Sequence, residues 1–209
     1  RPLPSSQPMR VLLASNYPHL PEIQGGLQTT THDLCLAIKE LGAEVAVLCG
    51  SEGMGTEGQS VSSDKSLGYL VMRSRMPEQA LASIASIWEP TAIVVQTGSS
   101  LLPMVLASLA TACPTAVYLH NVETHQLAGS LVPDPSLLYF ANSAFTADRW
   151  RALCGINCTV VPPIVAAERY QVAKTGEQIL FVNPHPIKGV EILFSLAEAC
   201  PARPLVYSA

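Results

Sequence analysis

Charge is scarce in this sequence, and a surplus of basic residues is absent. Charged residues make up 13% of the 209 residues, with 12 Lys and Arg against 16 Asp and Glu. Nucleic-acid binding normally needs a basic surplus, so the composition disfavours a DNA- or RNA-binding role. Hydrophobic residues make up 48%, which excludes an intrinsically disordered chain. So little charge indicates strands buried on both faces, as in a parallel α/β sheet, or a surface that a partner covers.

Membrane and secretion signals are also missing. No apolar run approaches the roughly 18 residues of a membrane-spanning helix. Residues 1–8 are polar and rich in proline, and they lack the apolar core of a signal peptide, so we expect a disordered tail there. The apolar stretch Leu101–Ala112 leaves peripheral contact with the inner face of a membrane open. It lacks the basic polar face of an interfacial helix, however, and a buried helix explains it better.

Disulfide and zinc motifs are absent as well. None of the six cysteines forms a C-x-x-C pair, and the closest two, Cys154 and Cys158, have no histidine close to them in sequence. A zinc site needs such pairs with further ligands. We therefore expect no metal site, buried reduced thiols and a cytoplasmic protein. The cysteines are Cys35, Cys49, Cys113, Cys154, Cys158 and Cys200.

The sequence instead alternates short apolar runs, which predict strands, with segments of helical periodicity. Strands are predicted at Met9–Asn16, Glu44–Cys49, Leu67–Arg73, Thr91–Gln96, Thr115–His120, Leu137–Ala141 and Cys158–Val161. Helices are predicted at Leu27–Leu41, Pro77–Trp88, Leu101–Ala112 and Ala144–Leu153, and a loop at residues 50–66. Such alternation predicts an α/β fold with a doubly wound parallel sheet, Rossmann-like, over residues 9–163.

The composition changes after Pro163. Residues 164–178 are polar and read as a linker. A strand at Ile179–Val182, a helix at Val190–Ala199 and a strand at Leu205–Ser208 then predict one βαβ unit over residues 179–209. One such unit cannot bury both faces of its strands. We therefore expect residues 179–208 to dock on a sheet edge or to form a homodimer.

Ligands of open α/β sheets bind beyond the carboxyl ends of the strands, and three loops there carry informative residues. Gly25 and Gly26 precede the first helix, whose free amides attract anions. The loop lacks the G-x-G-x-x-G pattern and the Walker lysine, which argues against a nicotinamide enzyme or a P-loop NTPase. Phosphate contact and plain loop flexibility both fit a Gly-Gly pair.

The other two loops carry titratable residues. His120 ends a strand, with Glu123 and His125 close behind it, and a histidine there can exchange a proton near neutral pH. A half-buried histidine bonded to a backbone carbonyl fits the position equally well. Lys188, in Pro184–Gly189, can point an ammonium at a phosphate or be a solvated loop residue. His185, between two prolines, fits a turn better than a base.

Four segments together resemble family 4 glycosyltransferases of the GT-B fold. They are Pro18–Gly26, the strand AVYLHNVE ending at His120, the stretch from Asn142 to Pro163 (NSAFTADRW to VVPP), and ILFVNPHPIKGVEIL at Ile179–Leu193. The resemblance implies two Rossmann-like domains that face a cleft. Residues 9–163 would form the N-terminal acceptor domain, and residues 179–209 the first βαβ unit of an incomplete donor domain.

The resemblance also implies roles for residues. Gly25 and Gly26 match the loop whose amides approach the donor diphosphate, and His120 matches an active-site histidine, the catalytic candidate. Lys188 matches the lysine that neutralises the leaving diphosphate, although the arginine that often precedes it is absent. Further acceptor or cleft candidates complete the set. They are Glu22, Gln96, Asn121 and Glu123.

The implied reaction is retaining transfer of a sugar from a nucleoside-diphosphate sugar to an acceptor hydroxyl. No cofactor or obligatory metal is expected, and the sequence has no D-x-D triplet for one. The family's two-glutamate motif lies beyond residue 209, so we expect this chain alone to be an inactive fragment. The alternatives are a nucleotide-sugar epimerase, with Glu123 and His125 as its acid/base groups, and an inactive nucleotide-sugar-binding module.

Overall fold

The computed structural model describes residues 8–51, 61–165, 167–171, 173, 178–202 and 204–208. The chain divides into two compact units, residues 1–165 and 166–209. In the first unit the strands are β1 (Arg10–Pro18), β2 (Glu44–Gly50), β3 (Ser62–Asp64), β4 (Leu70–Ser74), β5 (Ala92–Gln96), β6 (Thr115–Leu119), β7 (Leu137–Ala141) and β8 (Thr159–Val160). Its helices are α1 (Gly26–Glu40), α2 (Pro77–Trp88), α3 (Leu101–Leu109) and α4 (Ala144–Cys154).

These strands form one sheet in the order β3-β4-β2-β1-β5-β6-β7-β8. Every neighbouring pair is parallel except β3 and β4. The predicted doubly wound, Rossmann-like parallel α/β sheet is therefore confirmed. The strand order reverses at β1, which has β2 on one side and β5 on the other. A crevice opens at such a switch point, beyond the carboxyl ends of the two strands.

Apolar side chains cover both faces of the sheet, because successive residues of a strand point to opposite faces. In β1, Leu12 and Ala14 join the cluster that α2, α3 and α4 cover. Val11 and Leu13 join a second cluster on the opposite face, with Cys35 of α1. This double burial explains the near-continuous apolar strands and the low charge of the sequence.

Local signals end α1 and α4 within one residue of their predicted ends, whereas α3 ends at Leu109 rather than at Ala112. The Ser143 hydroxyl accepts the Thr146 N–H at 3.1 Å and caps α4, and Gly155 takes a left-handed φ of 71° at the other end. Gly42 follows α1 with φ 83° and donates its N–H to the Lys39 carbonyl. Such positive φ values favour glycine, which explains why the two helices end at these residues.

Several predicted boundaries are wrong. Ser62–Asp64 was expected in a loop but pairs antiparallel with β4 as an edge strand, while residues 52–60 of that loop lie outside the described residues. The third predicted strand begins at Leu70 rather than Leu67, because Gly68 turns the chain with φ 86°. Of the cysteines expected to be buried, Cys35 and Cys49 are buried, whereas three are half-buried and Cys200 is exposed. The predicted tail at residues 1–8 lies outside the described residues except for Pro8.

The second unit contains the predicted βαβ elements. Strands β9 (Ile179–Val182) and β10 (Leu205–Ser208) pair in parallel, and α5 spans Val190–Ala199 between them. The predicted linker contains a short 3-10 turn at Ala167–Tyr170, and its residues 166, 172 and 174–177 lie outside the described part. Large apolar side chains are exposed throughout the unit. They include Leu180, Val182, Ile192, Phe194 and Leu196. Docking or dimerisation through residues 179–208 stays a prediction.

Candidate functional site

Polar side chains gather at the switch point, where β1, β5 and β6 end. The Ser15 hydroxyl donates to the Thr97 carbonyl at 3.2 Å, which joins β1 to the turn after β5. Across β5, the Thr97 hydroxyl accepts the His120 backbone N–H at 2.9 Å. The chain from β1 to β6 is thus tied together by hydrogen bonds at the edge where an open α/β sheet binds its ligand.

His120 is held at four points in this cluster. Besides the bond to Thr97, its carbonyl accepts Asn142 Nδ2 at 2.8 Å. Its ring Nε2 lies 2.9 Å from Gln96 Oε1, and its ring centroid lies 4.1 Å from that of Tyr118. Such contacts fix both the backbone and the plane of the imidazole.

Burial also sets the charge of this histidine. Desolvation lowers the pKa of His120 to about 4, because burial penalises the charged imidazolium. The ring is therefore neutral at pH 7. It can accept a hydrogen bond at one nitrogen and donate one at the other.

Gln96, a candidate cleft residue, lies behind His120 and is 2% exposed. The same Oε1 that contacts His120 also lies 3.0 Å from the Thr31 hydroxyl of α1. The amide therefore links α1, β5 and the loop after β6. Gln96 therefore supports His120, and its role as an acceptor or cleft residue stays a prediction.

Two close backbone approaches shape the end of β1. A Cβ added to Gly98 would overlap the Asn16 side-chain oxygen and lie 3.1 Å from Ser15 Oγ. A Cβ added to Gly50 would overlap the Asn16 carbonyl oxygen. The Asn16 amide in turn donates to the Ser100 carbonyl at 3.2 Å. Gly50 and Gly98 therefore allow an approach to the end of β1 that a larger residue would prevent.

The amino terminus of α1 carries the predicted phosphate loop. Gly25 is extended, and no side chain caps the helix, whose first turn holds no acidic residue. The Gln28 side chain instead donates to the Pro18 carbonyl at 2.9 Å, which anchors α1 to the end of β1. A Cβ at Gly26 would meet nothing within 4 Å. First-turn amides without a side-chain cap are the groups that attract an anion.

Glu22, another candidate cleft residue, is engaged by Arg73. Its Oε1 lies 3.1 Å from Arg73 Nε, and Arg73 also donates to the Leu20 carbonyl at 2.8 Å and pairs with Asp64 of β3. Arg73 is buried. It therefore ties the loop after β1 to the edge of the sheet. Sequence reasoning missed Arg73, since an arginine at a strand end reads as solvated.

The Tyr69 hydroxyl joins a buried histidine of this loop to a half-buried histidine of α1. The Tyr69 hydroxyl lies 2.9 Å from His19 Nε2 and 2.9 Å from His32 Nδ1. His19 is 3% exposed, and burial is the largest cause that lowers its pKa to about 4. Sequence reasoning gave none of these residues a role, because their contacts cross from the loop to α1 and to β4.

The two candidates that follow β6, Asn121 and Glu123, are joined by hydrogen bonds through Gln126. Asn121 Nδ2 donates to Gln126 Oε1 at 2.9 Å, and Gln126 Nε2 donates to Glu123 Oε2 at 2.7 Å. Glu123 and His125 are both exposed, with 3.5 Å between Oε2 and Nε2. The Asn121 carbonyl accepts the indole N–H of buried Trp150 at 2.8 Å. This segment is therefore anchored to α4 while Glu123 faces solvent.

Lys188 belongs to the second unit. It ends a 3-10 turn at Pro186–Lys188, is exposed, and donates its backbone N–H to the His185 carbonyl at 2.8 Å. His185 Nδ1 accepts the Ile187 N–H at 3.3 Å, which fits its predicted role as a turn residue. Across the described residues of both units, no three His, Cys, Asp or Glu side chains are arranged to hold a metal ion. Within the same residues, no helix has the length and apolarity to span a bilayer.

Comparison with known proteins gives similarities to solved structures only. No family model matches the sequence, and no curated protein matches it. Among solved structures, the chain is similar to MurG from Acinetobacter baumannii, with a TM-score of 0.47 and 11% sequence identity. The match covers 85% of this chain and 52% of the MurG chain, so the chain spans about half the length of that structure.

Proposed function

We propose that this chain is the N-terminal part of a retaining glycosyltransferase of family 4. It would transfer a sugar from a nucleoside-diphosphate sugar to an acceptor hydroxyl, in the cytoplasm. The observation that carries the proposal is the neutral His120, held at four points at the switch point of the sheet. A catalytic side chain needs this kind of fixed geometry. The sequence resemblance supplies the family and the reaction.

The reaction breaks the bond between the anomeric carbon and the diphosphate oxygen, and it forms a bond from the same carbon to the acceptor oxygen. The proton of the acceptor hydroxyl passes to the leaving diphosphate. Negative charge develops on the leaving diphosphate. The uncapped amides at Gly25 and Gly26 suit that charge, and Lys188 of the second unit is proposed to neutralise it further. His120 would hydrogen-bond the transferred sugar or the acceptor hydroxyl. No metal is required by this scheme.

A nucleotide-sugar epimerase is the second candidate, favoured by the Glu123–His125 pair. A carboxylate and an imidazole 3.5 Å apart can act as acid and base. Both side chains are exposed, however, whereas proton transfer from carbon needs a site that excludes water. A module that binds nucleotide sugars without turnover is the third candidate.

The test uses the protein that contains this chain, with a panel of nucleotide sugars in the presence and absence of hydroxyl acceptors. Transfer with retained anomeric configuration supports the proposal, and epimerised donor without acceptor supports the second candidate. Replacement His120→Asn should lower transfer by about 10²-fold or more, while the exposed control His125→Gln should not. Transfer at the wild-type rate by His120→Asn would contradict the role of His120. The 209-residue chain alone should show no turnover.

A further inference from the structure

We propose that Gln28 is a positioning residue, which holds the amino terminus of α1 against the end of β1, and that Gly25 is a glycine because the Gln28 amide occupies the space of its Cβ. The two glycines of the predicted phosphate loop then have different roles. That the held amides serve a donor diphosphate rests on the proposed function. The packing itself belongs to the free protein, so it can be tested without a ligand.

The backbone does not require a glycine at position 25. Gly25 has φ −166° and ψ 173°, which is extended backbone that any residue adopts. The Gln28 side chain does require one, because a Cβ added to Gly25 would lie 2.8 Å from Gln28 Oε1 and 3.9 Å from Gln28 Cδ. Gly26 differs, since its Cβ would meet nothing within 4 Å and the residue is exposed. Space therefore separates the two positions.

The Gln28 amide is held in place. The residue is 6% exposed, and its Nε2 donates to the Pro18 carbonyl at 2.9 Å. This partner fixes the orientation of the amide, because a carbonyl can only accept a hydrogen bond. A Cβ at Gly25 would meet the amide whichever of its two ends faced it, since nitrogen and oxygen are of similar size. The amide cannot move away without losing its bond to Pro18.

The bond from Gln28 joins the first turn of α1 to Pro18, the last residue of β1. No side chain caps the helix, and a terminus without a cap frays more readily. The first internal bond of the helix runs from the Thr29 N–H to the Gly25 carbonyl at 2.9 Å. Fraying would disperse the free amides, and the attraction of an anion depends on their alignment. Gln28 therefore acts on an anion through the amides that it holds.

Amide hydrogen exchange of the ¹⁵N-labelled 209-residue protein tests this anchor without a ligand. Gln28→Met removes the donor to Pro18 at similar size. Exchange at Thr29 should become about fivefold faster, which corresponds to the loss of one hydrogen bond. Ala147 is the control, because its N–H bonds to the Ser143 carbonyl at 3.0 Å in the first turn of α4. An unchanged rate at Thr29, or an equal increase at Ala147, would overturn the positioning role.

A double-mutant cycle, followed by urea unfolding and the fluorescence of buried Trp150, tests the space at Gly25. Gly25→Ala should lower the unfolding midpoint, whereas the matched control Gly26→Ala should not. Gln28→Ala vacates the space, so Gly25→Ala should lower the midpoint no further in that background. No loss in Gly25→Ala, or the same loss in both backgrounds, would overturn the steric assignment. Should Gln28→Met not fold, Gln28→Ala replaces it in the exchange measurement.

Titration with inorganic pyrophosphate connects the anchor to the proposed function. Gln28→Met and Gly25→Ala should each weaken binding at the α1 amides about fivefold. Thr115→Val is the control, because it removes a buried hydrogen bond of 2.7 Å to Ser108 at the opposite end of β6 and should leave the affinity unchanged. Full affinity in Gln28→Met, or equal weakening by Thr115→Val, would overturn the positioning role. No binding by the wild type would overturn the proposed function and leave the anchor standing on the exchange and urea results.

Discussion

Acidification from pH 7 to pH 5 should destabilise the first unit through two histidines, His19 and His120. Burial is the main cause that lowers the pKa of each to about 4, from an ordinary value of 6.5. For His19 the charge of Arg73 and that of His32 act in the same direction, and that of Asp64 opposes them. Because the folded pKa is below the unfolded pKa, the unfolded chain binds more protons. The stabilisation is complete above about pH 6.5 and is lost as the pH falls toward 4.

The size of the effect follows from the two pKa values. At pH 5 each histidine should reduce the free energy of unfolding by about 2 kcal/mol, and both together by about 4 kcal/mol. Urea unfolding followed by tryptophan fluorescence measures this, because Trp150 is 1% exposed in the core of the first unit. His19→Gln and His120→Gln should each remove about half of the pH-dependent loss.

The exposed His125 provides the control, and His125→Gln should leave the pH-dependent loss unchanged. A wild-type loss of less than about 1 kcal/mol between pH 7 and 5 would refute the assignment of both histidines as buried and neutral. An equal effect of His125→Gln would show that burial does not control the titration.

Four further replacements, at three positions, test the framework of the first unit by urea unfolding. Gly98→Ala should cost about 2 kcal/mol, because its Cβ overlaps Asn16; a neutral result would refute the close approach. Arg73→Met should cost about 2 kcal/mol, since it leaves Glu22 without its buried partner; Arg73→Lys should recover only part of this, because lysine lacks the guanidinium fork. Ser143→Ala should cost about 1 kcal/mol through the lost α4 cap, whereas an unchanged midpoint would show that the cap contributes nothing.

Elements defined by local signals could be predicted from the sequence. Helix Pro77–Trp88 and strand Leu137–Ala141 have the predicted bounds, because proline favours the first helical turn and buried strands are continuous apolar runs. Strand β3 could not be predicted, since Ser62–Asp64 has no apolar pattern. Its formation depends on pairing with β4, where Asp64 meets Arg73.

The candidate site, like the fold, could be predicted only in part. The position of His120 could be predicted, because it follows a recognisable strand and such ends carry ligands in this class of sheet. The contacts of Gln96 with His120 and with Thr31 could not be predicted, because these residues are 24 and 65 positions apart in the sequence. They depend on the register of β5 against β6 and on the placement of α1. The buried His19 and Tyr69 were missed for the same reason, being 50 positions apart.

The proposed function requires that the uncapped amino terminus of α1 binds the donor diphosphate. The most direct measurement is a titration of the ¹⁵N-labelled 209-residue protein with inorganic pyrophosphate, comparing wild type with two replacements of Gly26. Gly26→Ala keeps the amide and meets no neighbour. Gly26→Pro removes the amide, and the extended Gly25 accepts a following proline. Saturable shifts at Gly25–Leu27, unchanged by alanine and weakened about tenfold by proline, are predicted. No saturable shift at these amides, or equal binding by both replacements, would contradict the claim.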